Sequence, residues 1–115
     1  MAMEFQDMDL YQEQAHRTSH ETVIGGDLLL YPVLGLAGEV GELLNKIKKI
    51  YRDRNGIYSE DDRVCVIYEL GDILWYTSEI ATLFDMQLSE IASINIAKLA
   101  DRADRGVIGG SGDNR

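Results

Sequence analysis

The chain has 115 residues, enough for one domain with a modest core. Apolar residues make up 45% and charged residues 27%, a globular balance rather than a disordered one. Twenty acids against 11 bases give a net charge of −9, which argues against a polymeric nucleic-acid partner and disfavours an anionic membrane surface.

A small anionic substrate stays compatible with this charge if a bound cation inverts the local field. Cys65 is the single cysteine, so no intrachain disulfide can form, and a reducing cytoplasm is expected. Cys65 lies in an apolar run and is expected to be a buried core thiol. The first residues lack a basic start followed by an apolar stretch, so no signal peptide is expected. No run approaches the ~20 apolar residues that a membrane span needs.

Helical spacing of Phe5, Met8, Tyr11, Gln12, Ala15 and Thr18 predicts a first helix from residue 4 to about residue 22. Residues 23–30, with Gly25 and Gly26, read as a loop. A second helix is expected from Tyr31, with Pro32 in the first turn, where a missing N–H costs nothing. Leu36, Val40, Leu43, Leu44, Ile47 and Ile50 then recur on one face, and Asn55-Gly56 marks the turn.

Ser59 is a good N-cap for a third helix, with Asp62 in capping-box position. This helix is expected to reach about Phe84. Its apolar residues wrap most of the way round it, so other helices or a second subunit must cover several sides. A fourth helix is expected over about 89–105, with Gly106 as its C′ residue. Residues 106–115 form a glycine-rich tail, mobile if left alone. The whole reads as an all-α, four-helix bundle-like core over residues 1–105, completed by oligomerisation.

Glu39 and Glu42 are three apart on the second helix, and Glu69 and Asp72 are three apart on the third. Each pair therefore shares a helical face. Helices joined by a short turn pack antiparallel, which can bring both pairs to one seam. Acids on helices are ordinarily just solvated. Here, however, like charges at this spacing are destabilising without a cation. The residues four positions on from Glu39, Glu69 and Asp72 are Leu43, Ile73 and Tyr76; only Glu42 has a base there, Lys46. An oxygen-only cluster suits Mg²⁺, with Mn²⁺ able to substitute. Neutralisation of some acids by burial is the metal-free alternative.

Gly35, Gly38 and Gly41 recur every third residue, and Gly71 precedes Asp72. Each interior glycine costs roughly 1 kcal/mol relative to alanine, so close helix packing is expected to repay it.

The strings GLAGEVGELLNKIKK and YELGDILWYTSEIA, with YQEQAHRT near the start and NIAKLADRADRGVIGGSGDNR at the end, resemble the MazG-type nucleoside triphosphate pyrophosphohydrolases. The family pattern Glu-x-x-Glu, spacer, Glu-x-x-Asp falls on Glu39, Glu42, Glu69 and Asp72, with 26 residues between the pairs. The resemblance spans nearly the whole chain and is nearest to short single-domain forms, phage-borne ones included. It implies a four-helix core, the four acids as metal ligands, Mg²⁺ dependence, cleavage between the α and β phosphates, and a homodimer or homotetramer.

Asn95, Lys98, Arg102 and Arg105 share one face of the fourth helix. Asn95 and Lys98 resemble the family's phosphate-side contacts. For Arg102 and Arg105 an exposed basic stripe is an equal reading. Lys46 and Lys49 are phosphate candidates against a stronger reading as dipole-favoured surface lysines. Trp75 and Tyr76 are candidates to stack on a base, although such aromatics are more often core. Gln12, His16 and Thr18 are weaker candidates for base or sugar contacts, and the tail is a weak candidate to close over nucleotide.

The expected reaction is Mg²⁺-assisted hydrolysis of a (deoxy)nucleoside triphosphate to monophosphate and pyrophosphate. Glu42, preferred over Glu39, accepts the proton of the attacking water, and Lys98 stabilises charge on the transferring group. The competing readings are a phosphoribosyl-ATP pyrophosphohydrolase and a non-catalytic regulatory module that binds metal or nucleotide.

Overall fold

The computed structural model describes residues 7–113. Its helices are α1 (Met8–His16), α2 (Leu30–Arg54), α3 (Glu60–Leu83) and α4 (Leu88–Asp104). No strand occurs among the described residues beyond an isolated bridge between Ile24 and Asp27, so the all-α expectation holds.

The long pair α2 and α3 dominates the packing. It turns at Asn55, which takes the left-handed conformation, followed by Gly56 at φ 79°. The α3 start is fixed by a capping box. Asp62 N–H donates to Ser59 Oγ at 3.1 Å, and Ser59 N–H donates to Asp62 Oδ2 at 2.7 Å. Arg54 reaches across the turn to Asp62, holding its carboxyl well below the usual range. Pro32 falls in the first turn of α2, as its missing N–H suggests.

α1 is shorter than its spacing predicts. It ends at His16 because Thr18 Oγ1 donates to Ala15 O at 2.7 Å, while the Thr18 and Ser19 amides bond back to Ala15 and His16. Short hydroxyl side chains compete with helix continuation in this way. The expected first residues, 4–6, lie outside the described residues. A glycine turn then closes through the Ile24–Asp27 bridge, with Gly25 and Gly26 at positive φ.

Gln12 staples α1 to the α3–α4 corner. Its Nε2 donates to Thr82 Oγ1 at 3.0 Å and Met86 O at 2.9 Å, and its Oε1 accepts the Leu88 N–H at 2.8 Å. Asp9 accepts from the Ser89 N–H and hydroxyl at 2.9 and 2.6 Å. These bonds hold the first turn of α4 against α1. α4 packs on α1 and makes no comparable packing with α2 or α3.

The core is small. Ala15, Ile50, Ala81 and Leu88 are its buried apolar residues among those described. Cys65, expected to be buried, is exposed on α3. Its apolar neighbours Val64, Ile67 and Tyr68 are exposed with it, because α3 has too few intrachain partners to cover all its faces. No described helix is long and apolar enough to cross a membrane.

Candidate metal centre

The antiparallel α2–α3 pair brings Glu39, Glu69 and Asp72 together at its seam. One carboxylate oxygen from each lies within 4.8 Å of the others. Glu39 and Glu69 are half-buried and Asp72 is exposed, so the cluster faces outward from a semi-dry base.

Two features mark this grouping as more than solvated acids. Glu69 Oε2 is buried with no hydrogen-bond partner, a state that a carboxylate oxygen rarely tolerates. The Glu39 carboxyl is pushed above its ordinary range. Its hydrogen bond to Glu69 is the main cause, followed by desolvation and by the negative charges of Asp72, Glu69 and Glu42. A divalent cation would relieve the repulsion and occupy the orphaned oxygen, so the donor set fits a hard, oxygen-preferring ion.

Glu42 lies one turn further along α2. It is exposed, and its charge acts on Glu39, but its oxygens are not part of the close triple. Lys46 is the cation seated against the cluster, with its Nζ 3.7 Å from Glu69 Oε1. Beyond it, Lys46, Lys49 and Arg54 line the adjoining groove with Asp53, Asp62 and Cys65.

Glu39 and Asp72 also line an open depression walled by Trp75 and Tyr76. The two rings meet edge-on at 5.0 Å. Tyr76 lies over Gly35, where an added Cβ would run into its ring. Close packing therefore explains Gly35. Gly38, Gly41 and Gly71 face open space, so close packing within the chain does not account for them.

Trp75 also borders a second, narrow pocket with Tyr31, Pro32, Leu28 and His16. Its indole N–H donates to Thr18 Oγ1 at 2.8 Å. Inside this pocket Glu79 is almost fully buried, with His16 Nδ1 3.2 Å from its carboxylate; His16 Nε2 is 3.3 Å from Glu21. Sequence reasoning missed Glu79. Its signal was an acid on the most apolar helix with no intrahelical base, the criterion already applied to Glu69 and Asp72.

The α4 candidates sit apart. Asn95 is exposed. Lys98 Nζ is 3.1 Å from Asp113 Oδ1, and Arg102, which is buried, bonds Asp113 O at 2.9 Å and its Oδ1 at 3.3 Å. The tail, read from sequence as mobile if left alone, is thus pinned to α4 through Asp113. Arg105 pairs with Asp101.

The family model for the MazG nucleotide pyrophosphohydrolase domain matches residues 26–107. The chain belongs to this family. The MazG match covers α2, α3 and α4, hence all four acids. The chain is also 43% identical over 112 residues to the Gene 37 protein of Mycobacterium phage L5, covering 94% of this chain and 98% of that one. No solved structure matches the chain.

Proposed function

We propose that the chain is a Mg²⁺-dependent hydrolase that converts a nucleoside or deoxynucleoside triphosphate to its monophosphate and pyrophosphate. The observation that carries this reading is the Glu39–Glu69–Asp72 triple with its orphaned, buried Glu69 oxygen. Held by these carboxylates, Mg²⁺ would offset the charge of the triphosphate and lower the pKa of a water.

The chain's own residues do the rest. Glu39, Glu69 and Asp72 hold the ion, with Glu42 beside them. Glu42 is exposed and outside the close triple, which suits it to accept the proton of the attacking water. Lys46, already at Glu69, can follow a phosphate along the groove toward Lys49. Trp75 lines both the acid depression and the narrow pocket, which supports a role for it beside the base. The absence of a GxxxxGK[ST] loop from the sequence argues against γ-phosphate transfer. A single, exposed cysteine suits a reducing cytoplasm.

The working unit in this reading is a homo-oligomer, a dimer or tetramer. A compact monomer of 12.9 kDa exposes about 6,300 Å². This subunit exposes 8413 Å², and the excess is larger than the ~800 Å² per partner of a standard stable interface.

The test is a turnover panel of canonical and modified nucleoside triphosphates with and without Mg²⁺, run beside Asp72→Asn. Mg²⁺-dependent release of pyrophosphate by wild type alone is expected. Stoichiometric binding without product would assign the chain to a regulatory module instead.

A further inference from the structure

We propose that Glu79 sets the base specificity of the chain: its buried carboxylate accepts the exocyclic amino group of the nucleobase, so cytosine and adenine nucleotides are taken in preference to their oxo counterparts, uracil and hypoxanthine. The inference rests on the hydrolase reading and adds which bases that site selects.

Glu79 follows Asp72 on α3 by two turns, so the two share a helical face about 10 Å apart along the axis. Trp75 stands between them on that face. The spacing is on the scale of a nucleotide, with phosphates at one end and base at the other. Glu79 is 5% exposed. Its ion-pair partner among the described residues is His16, whose Nδ1 lies 3.2 and 3.3 Å from the two carboxylate oxygens. One N–H shared by two oxygens leaves most of a carboxylate's roughly four acceptor sites unspent.

The pocket beside this carboxylate is narrow, with a cavity volume of about 30 Å³. A single water needs roughly 10–15 Å³, so the pocket admits an amino group and leaves the ring at its mouth. Leu28, Tyr31, Pro32, Trp75 and Leu83 form its apolar walls. Acceptors dominate its polar end. The Trp75 indole N–H is taken by Thr18 Oγ1 at 2.8 Å. His16 turns one ring nitrogen to Glu79 and the other to Glu21, 3.3 Å away. No lysine or arginine lines the pocket among the described residues. Ser19 and Thr22 line it, but a hydroxyl donates or accepts and does not discriminate. An amino group therefore gains a charge-assisted hydrogen bond here, whereas a carbonyl oxygen meets a carboxylate. A site built to bond an N–H rejects the analogue that lacks it, because its own buried acceptor is then left unpaired.

Competition assays test this, with CTP against UTP and ATP against ITP, ribo and deoxy forms alike, in one reaction. Wild type should favour the amino member of each pair by about tenfold or more, the usual worth of a hydrogen bond to a charged group. Glu79→Gln, whose amide donates as well as accepts, should erase or invert that preference. Glu79→Asp, which keeps the acceptor, should keep its direction. Competing substrates share one preparation, so any unfolded fraction drops out of the ratio. Equal rates for both members of each pair in wild type, or an unchanged ratio in Glu79→Gln, overturn the proposal and leave Glu79 as a structural partner of His16. A wild-type chain that turns over no triphosphate takes down the hydrolase reading by itself. The affinities of CMP and UMP, measured by calorimetry on wild type and Glu79→Gln, then decide the role of Glu79 by the same ratio.

Discussion

Glu69 is divided between two environments: one carboxylate oxygen meets Lys46, and the other is buried without a hydrogen-bond partner. Glu39→Gln, Glu69→Gln and Asp72→Asn should each lower turnover by orders of magnitude while circular dichroism stays helical, because shape is kept and metal-holding charge is removed. Normal turnover in all three would move the site elsewhere. The raised Glu39 carboxyl adds a pH dependence with a definite sign. The folded chain keeps that proton to higher pH than the unfolded chain, so this group's contribution to stability falls as pH rises from the ordinary glutamate range through the raised value. Other acids, Asp9 and Asp113 among them, are shifted down and act oppositely. The thermal midpoint of wild type minus that of Glu39→Gln isolates the effect, and it should drop across that window without Mg²⁺. Within the window, Mg²⁺ binding should release protons in a calorimeter run in buffers of different ionisation enthalpy. A binding heat independent of buffer there would mean that Glu39 does not meet the ion.

Helices were legible where local chemistry is decisive. Ser59 with Asp62 set the start of α3, and Asn55-Gly56 set the end of α2, both from residue types alone. Ser59→Ala should therefore cost about 1 kcal/mol in chemical denaturation, the usual worth of an N-cap. A change within error would mean that Arg54–Asp62 holds the joint by itself. The end of α1 was not legible, because Thr18 and Ser19 fit a helical spacing and yet turn back on the backbone. The carboxylate site was readable in part. Spacing gave two facing pairs, but only side-chain placement separates the close triple from Glu42. Glycine spacing could not tell Gly35, under Tyr76, from Gly38, Gly41 and Gly71, which face open space. Cys65 departs from its expected burial for a related reason: an apolar run in a sequence does not say whether its own chain has the elements to cover it.

Across the whole molecule, the uncovered faces of α3 and α4 are what the proposed homo-oligomer would bury. Light scattering at micromolar concentration should give twice the 12.9 kDa chain mass or more; a stable monomer would contradict the proposed oligomer. The proposed chemistry is attack of water on the α-phosphorus of a nucleoside triphosphate held at the Glu39–Glu69–Asp72 cluster. Hydrolysis in ¹⁸O-labelled water, with both products weighed by mass spectrometry, tests it most directly. A nucleoside monophosphate carrying the label and unlabelled pyrophosphate are expected, formed with Mg²⁺ and lost in Asp72→Asn. Label in the pyrophosphate, or a nucleoside diphosphate with orthophosphate, would contradict it.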